Sequence, residues 1–139
     1  MNRMINFRHT LAPCVTNEVT LWHVAHGWIW DVIEVASGKS IGVFFCTHLC
    51  GDGCVCHFDT VGTVRPALLL AAFRKGLRMI LPHCAVIYAT IEAGNIALIR
   101  CAQRLGFQIV AGGGFIRDGR EIMLLKYVGR NICRSKKLY

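Results

Sequence analysis

The sequence changes its hydrophobic period from strand to helix near residue 62, and this change constrains the fold more than any other feature. Before it, glycine-containing turns separate three runs rich in β-branched and aromatic residues, at 28–37, 40–50 and 54–61. Such runs predict three consecutive strands joined by tight turns, which is an antiparallel meander. After it, Pro66 begins a run with apolar residues at helical spacing, which predicts an amphipathic helix.

The second half of the chain continues with strand and helix patterns. Residues 85–91 are a short, continuously apolar run, as expected of a strand covered on both faces. The segment that follows has polar residues at helical spacing and predicts a second helix that stops at Gly106. A closing pair of strands, 107–110 and 121–128, is predicted on either side of the turn RDGR.

Length and composition indicate one packed α/β domain over residues 1–139. The chain is 54% hydrophobic and 17% charged, which excludes a disordered protein. No run approaches the ~18 apolar residues of a membrane span, and the first residues lack an apolar signal core, so we expect a cytoplasmic protein. The pattern is least regular over 1–27, where we expect a strand near 4–7 and a helix near 17–26.

The charge balance is strongly basic, with a formal net charge of +8. Such a balance favours anionic partners, although a solvated basic surface is an equal alternative. The basic residues are densest in the tail 129–139, beyond the last apolar run. We therefore expect either an anionic partner at this tail or a frayed end.

The stretch CTHLCGDGCVCH holds four cysteines and two histidines. If residues 51–53 form a three-residue hairpin loop, Cys50 faces Cys54 and His48 faces Cys56. Zinc would need sulfurs ~3.8 Å apart, whereas same-face neighbours along a strand are ~6.6 to 7 Å apart. A disulfide is feasible, since the Cα atoms of facing residues are ~5.5 Å apart. We favour a third interpretation, in which the cysteines are small apolar side chains and bind no metal.

The stretch EAGNIALIRCAQRLGFQIV resembles a signature of the GNAT acetyltransferase superfamily, in the variant typical of relatives that acetylate protein N-termini. The matching positions are Asn95, Ile99, Arg100, Ala102, Arg104, Leu105, Gly106 and Phe107. The following RDGREIMLLKY is similar to the closing hairpin of the same family. The resemblance covers residues 28–128 and implies a GNAT-like domain, with a mixed, mostly antiparallel sheet and helices on both faces.

The resemblance also implies acetyl-CoA as cofactor, bound through its pyrophosphate at the loop before the first helix and through its pantetheine arm near Asn95. The loop residues concerned are Val61, Gly62, Thr63, Val64, Arg65 and Ala67. Relatives place Arg or Gln, then two small residues, where this chain has Thr60, Thr63 and Arg65. One glycine remains, and Pro66 removes one backbone donor, so the phosphate nest is degenerate unless Arg65 pairs with a phosphate instead.

Acetyl transfer to an amine needs a base for the ammonium proton. His57 and Asp59 alternate onto one face of the third strand and are the predicted catalytic residues, with Glu92 as a third candidate. Their alternative role is that of solvent-facing or hydrogen-bonded strand residues, and Asn95 has the alternative role of a helix cap. Many members of the family have a tyrosine that acts as the acid, and Ala102 occupies that position in this chain. The relatives that acetylate N-termini also lack this tyrosine.

The Cys-Gly-Asp-Gly-Cys turn at 50–54 is followed by a loop that lacks the phosphate-binding glycines. In this combination the chain resembles, more loosely, small GNAT-like proteins of short-tailed phages, which are associated with the head interior or its assembly. It implies a second function, a non-catalytic assembly protein whose partners are other virion proteins in the host cytoplasm or the particle. The first function remains acyl transfer from acetyl-CoA to an amine. The degenerate loop favours the second.

Overall fold

The computed structural model describes residues 4–16, 18, 20, 22, 24, 28–48 and 53–129. The described positions between 18 and 24 are helical. The other elements follow in chain order: β1 (Ile5–His9), β2 (Trp28–Glu34), β3 (Ser40–His48), β4 (Gly53–Thr60), α1 (Pro66–Ile80), a 3-10 turn (Leu81–His83), β5 (Val86–Glu92), α2 (Ile96–Leu105), β6 (Phe107–Ile109), β7 (Phe115–Arg117) and β8 (Arg120–Tyr127).

Every predicted element that falls on described residues is present, and the described residues add β7 and the 3-10 turn. The predicted N-terminal strand corresponds to β1, and the described positions of the predicted N-terminal helix are helical. The basic tail lies outside the described residues from 130 onwards. Among the described residues, no helix is long and apolar enough to cross a membrane.

The strands form one sheet in the order β1-β2-β3-β4-β5-β8-β6, and β7 also pairs with β8. Every pairing is antiparallel except that of β4 with β5. A parallel pair needs a crossover connection, and α1 provides it. The predicted mixed, mostly antiparallel sheet is therefore confirmed.

Helical segments cover both faces of the sheet, as predicted. On one face, Leu69, Phe73 and Leu77 lie on one stripe of α1 and belong to the main core together with buried residues of α2 and of the sheet. On the other face, a smaller cluster packs against a helical position of the N-terminal segment, and it consists of Ile29, Val43 and Phe45 with Val15 and Val24.

The predicted register of the β3–β4 hairpin is wrong by two residues. Cys46 faces Cys56 and His48 faces Cys54, so Gly53 belongs to the strand and Cys54 does not face Cys50. A two-residue shift leaves every side chain on its face. The observed register sets Phe44 opposite Phe58, and both of these aromatic residues are buried in the core.

The described cysteines of this hairpin are core residues, as the favoured interpretation predicts. Cys46, Cys54 and Cys56 are each at most 1% exposed and form no disulfide. Burial, reinforced by the neighbouring Cys84, raises the pKa of Cys46 to about 12. Burial also raises the pKa of Cys54 and Cys56 far above the ordinary range. These thiols remain protonated at neutral pH and act as small apolar side chains.

The contact between α1 and the sheet depends on Gly76. A Cβ atom at this position would lie 2.7 Å from the ring of Phe44. We expect Gly76→Ala to lower the free energy of unfolding by about 1 to 3 kcal/mol, because overpacking outweighs the better helix propensity of alanine. Urea denaturation measures this loss. Gly94→Ala is the matched control, since its Cβ would meet no atom within 4 Å, and an equal loss there would contradict the packing explanation.

Candidate active site

The parallel strands β4 and β5 separate part-way along their length. Their pairing runs from Gly53 with Val86 to Cys56 with Ala89 and then stops. Beyond this point β4 pairs only with β3, and β5 pairs only with β8. A cleft of about 540 Å³ lies where the strands diverge, and both strands contribute to its lining.

The predicted catalytic residues His57 and Asp59 both line this cleft. His57 follows the last paired residue of β4, and its Nδ1 shares a 2.6 Å hydrogen bond with Oγ1 of Thr90. The imidazole also stacks on the ring of Phe45, with 5.0 Å between the ring centroids and 21° between the planes. His57 is therefore a hydrogen-bonded strand residue and a cleft residue at once.

Glu92 and Asn95 also reach the cleft, at the end of β5 and the start of α2. A carboxylate oxygen of Glu92 lies 3.4 Å from the guanidinium of Arg120. Asn95 accepts a hydrogen bond of 3.2 Å from the backbone N–H of Leu98, which confirms its role as the helix cap. The cap fixes the first turn of α2 at the edge of the cleft.

Acidic residues are concentrated at this cleft. Four of the eight Asp and Glu residues in the chain line it, from four separate segments: Glu18, Asp59, Glu92 and Asp118. The cationic lining residues are Arg117 and Arg120. In a protein whose net charge is +8, this local excess of carboxylates would attract a cationic group.

The sequence pattern missed part of this lining. The turn after β7 brings Arg117, Asp118 and Arg120 to the cleft, and its Asp118 and Gly119 have φ angles of 53° and 75°. The sequence RDGR does indicate such a turn, but it carries no signal of what the turn faces. Thr90 was missed because a single threonine in a strand has no functional pattern.

The predicted pyrophosphate loop lies beside the cleft and contributes none of its lining residues. Gly62 has a φ of 65° and is exposed, a conformation that favours glycine. Thr60 donates a 3.1 Å hydrogen bond from its hydroxyl to the carbonyl oxygen of Gly62. The exposed guanidinium of Arg65 lies 3.4 Å from a carboxylate oxygen of Glu34.

The first turn of α1 has few free backbone donors. Pro66 has no N–H, and the N–H groups of Leu68 and Leu69 both donate to the carbonyl oxygen of Arg65 at 3.0 Å. Ala67 thus carries the remaining donor of the first turn among the described residues. No acidic side chain lies in this turn, so the positive end of the helix dipole is available to an anion.

Within the described part of the chain, no three His, Cys, Asp or Glu side chains are placed so that they could hold a metal ion.

Solved structures with the same architecture identify the fold. No protein-family model matches the sequence, and no curated protein sequence matches it. The spermidine N-acetyltransferase of Vibrio cholerae, in complex with CoA and spermine, is 10% identical and superposes with a TM-score of 0.67, covering 90% of this chain and 95% of that one. This chain has the GNAT fold.

Two further acetyltransferase structures agree with this assignment, and the first is named as a GNAT family member. A GNAT family acetyltransferase from Elizabethkingia anophelis with acetyl-CoA bound is 9% identical, has a TM-score of 0.64, and covers 91% of this chain and 99% of that one. The IAA acetyltransferase of Bacillus cereus is 12% identical, has a TM-score of 0.56, and covers 88% and 98%. The predicted GNAT-like domain is therefore confirmed as a fold.

Proposed function

We propose that this protein transfers an acetyl group from acetyl-CoA to a cationic amine. The observation that carries the proposal is the separation of β4 from β5, which opens a cleft onto His57, Asp59 and Glu92. Two of the similar structures hold acetyl-CoA, or CoA with spermine, on the same fold. The negatively charged carboxylates of the cleft would attract the positively charged ammonium group of the amine.

The reaction requires proton transfers that the cleft residues can perform. As the amine nitrogen bonds to the carbonyl carbon of the thioester, the carbon–sulfur bond breaks and the ammonium proton must leave. His57 or Asp59 accepts that proton, directly or through water, and the departing thiolate takes one up. Both residues line the cleft that would receive the amine.

A backbone donor for the carbonyl oxygen follows from the same strand geometry. Val61 donates its N–H to Ile41 of β3, so alternation directs the backbone polar groups of Phe58 towards β5. The ladder between β4 and β5 ends at Cys56 and Ala89, which leaves the N–H of Phe58 without a partner in β5. This donor faces the opening, where negative charge develops on the oxygen.

The loop before α1 fits an anionic phosphate through three of its features. Ala67 offers a free N–H, Arg65 offers an exposed guanidinium, and the helix start carries no competing acid. The thioester of acetyl-CoA supplies the acetyl group when bound. The loop residues would hold its pyrophosphate, and Asn95 would lie near its pantetheine arm.

Calorimetric titration with acetyl-CoA tests binding, and transfer of radiolabelled acetyl tests the reaction. We expect binding below millimolar concentration and acetylation of spermine or of a peptide with a free N-terminus. The spermine-bound neighbour favours the polyamine, and the resemblance of residues 92–110 to relatives that acetylate N-termini favours the peptide. Absence of binding by acetyl-CoA and CoA at millimolar concentration would exclude the proposal.

Arg65 is the side chain through which the loop can be tested. We expect Arg65→Ala to raise the Kd of acetyl-CoA about 5-fold, because one charge-assisted contact to a phosphate is lost. Arg78→Ala is the matched control, since Arg78 is an exposed arginine in the last turn of the same helix. Equal Kd values for the Arg65→Ala variant and the unmodified protein would place the phosphates elsewhere.

The second candidate is a non-catalytic assembly protein, and the loop is the observation that favours it. Thr63 and Arg65 replace the small residues of the relatives, and Pro66 lacks an N–H. The N–H of Leu68 already donates to the carbonyl oxygen of Arg65. Its partners would be other proteins of an assembly, such as phage virion proteins, or an anionic partner at the basic tail. We would favour this candidate if the protein bound neither acetyl-CoA nor CoA but associated with virion proteins.

A further inference from the structure

Asp31 is the only charged side chain that is buried among the residues that the structure describes, and it is 2% exposed. It lies in β2, between Arg8 of β1 and Val43 of β3. A carboxylate that is removed from water costs free energy unless its oxygens find hydrogen-bond partners. The partners of this carboxylate therefore indicate its role.

One oxygen of Asp31 holds the chain that follows β1. Its Oδ1 accepts a 3.0 Å hydrogen bond from the backbone N–H of Cys14, whereas Oδ2 lies 3.4 Å from the guanidinium of Arg8. The side chain of Arg8 is 63% exposed, so water screens this ion pair and weakens it. The hydrogen bond from Cys14 ends on a buried, charged oxygen and is the stronger of the two contacts.

Two further contacts attach the same part of the chain to the sheet. The thiol of Cys14 donates a 3.3 Å hydrogen bond to the carbonyl oxygen of Gly42 in β3. Val15 packs against the small buried cluster that contains Phe45. Residues 14 and 15 are thus held on β2 and β3, just before the helical positions that begin at residue 18.

The segment that is attached in this way continues to the cleft. Glu18 lines the cleft, and Val24 packs against the same cluster as Val15. Phe45 of that cluster stacks on His57, so the segment lies over the face of the sheet that carries the cleft. The place of Glu18 therefore depends on how firmly the chain before it is held.

We propose that Asp31 is a positioning residue, whose carboxylate anchors Cys14 and so holds Glu18 at the cleft. The inference rests on the proposed function, in which the carboxylates of the cleft attract the amine. Asp31 is not among the residues that line the cleft. It therefore affects the amine through the segment that it anchors.

Amide hydrogen exchange of the unmodified protein tests the anchor without substrate or substitution. Cys14 lies outside the strands, so the hydrogen bond to Asp31 is what slows the exchange of its N–H. We expect NMR to show that this amide exchanges roughly 100-fold more slowly than in an unstructured peptide. Exchange of the Cys14 amide at the unprotected rate would overturn the inference.

Three substitutions separate the carboxylate from its neighbours. Asp31→Ala removes the acceptor, Asp31→Asn keeps an oxygen that can accept the N–H, and Cys14→Ala removes the thiol but keeps the N–H. We expect the amide of residue 14 to lose its protection in Asp31→Ala and to keep most of it in the other two variants. Amides of α1 should keep their protection in all three. An unchanged amide of residue 14 in Asp31→Ala would overturn the inference.

Kinetics test whether the anchor acts through Glu18. We expect Asp31→Ala to raise the KM of spermine about 3-fold and to leave the KM of acetyl-CoA unchanged. In a protein that already carries Glu18→Gln, Asp31→Ala should raise the KM of spermine no further, because effects that share one route do not add. A further 3-fold rise in that background would overturn the positioning role, although the transferase would stand. If the protein had no transferase activity, the proposed function would fail, and the exchange of the Cys14 amide would still decide the anchor.

Discussion

Replacing His57 by alanine should lower kcat/KM for acetyl transfer by about 10²- to 10³-fold, the loss expected when a general base is removed. The side chain lies at the point where β4 and β5 diverge and lines the cleft. The KM of acetyl-CoA should change little, because the predicted phosphate contacts lie in the loop before α1. Steady-state rates with saturating acetyl-CoA and varied amine measure the effect.

Two further variants make the His57 prediction specific. His83→Ala is the matched control, since His83 is an exposed histidine that contacts Trp28, away from the cleft lining. Asp59→Asn tests the second predicted base. If Asp59→Asn lost activity while His57→Ala kept it, Asp59 would be the base and our assignment of His57 would be wrong.

Removing carboxylates from the cleft should weaken the use of polycationic acceptors. We expect the double variant Glu18→Gln with Asp118→Asn to raise the KM of spermine about 10-fold, equivalent to ~1.4 kcal/mol, and to leave the KM of acetyl-CoA unchanged. Asn tolerates the φ of 53° at position 118, so the turn should keep its shape. Kinetics at two salt concentrations measure the change, which should shrink as salt screens the charges.

A carboxylate outside the cleft supplies the comparison for that double variant. Glu121→Gln removes an exposed charge from β8 that does not line the cleft. Its KM for spermine should remain close to that of the unmodified protein. An equal increase would mean that overall charge, and not the four cleft carboxylates, attracts the amine.

The order of elements was predictable because each pattern has one period and a clear stop. Pro66 begins α1, and Gly106 ends α2 with a φ of 113°, as the sequence indicates. The strand β7 was missed because its three residues are all exposed and carry no alternation. Local patterns therefore identified the elements that bury a face and missed the one that does not.

The cleft was predictable only for residues within one strand or one motif. Alternation along β4 brought His57 and Asp59 together, and the helix signature located Asn95. Glu18 and Asp118 reach the same cleft from distant parts of the chain, which no local period records. The predicted hairpin register was wrong because the assumed loop 51–53 left Gly53 out of the strand, whereas Gly53 is the first residue of β4 and Phe44 faces Phe58.

A one-residue shift of strand β4 against its neighbours would exchange its buried and cleft-facing side chains. Its buried Cys54, Cys56 and Phe58 alternate with His57 and Asp59, which line the cleft. A one-residue deletion or insertion at its start would turn the thiols outward and press a carboxylate into the core. Natural variants of this protein should therefore keep the parity of residues 53–60 unchanged, whatever happens to the length of the loop before them.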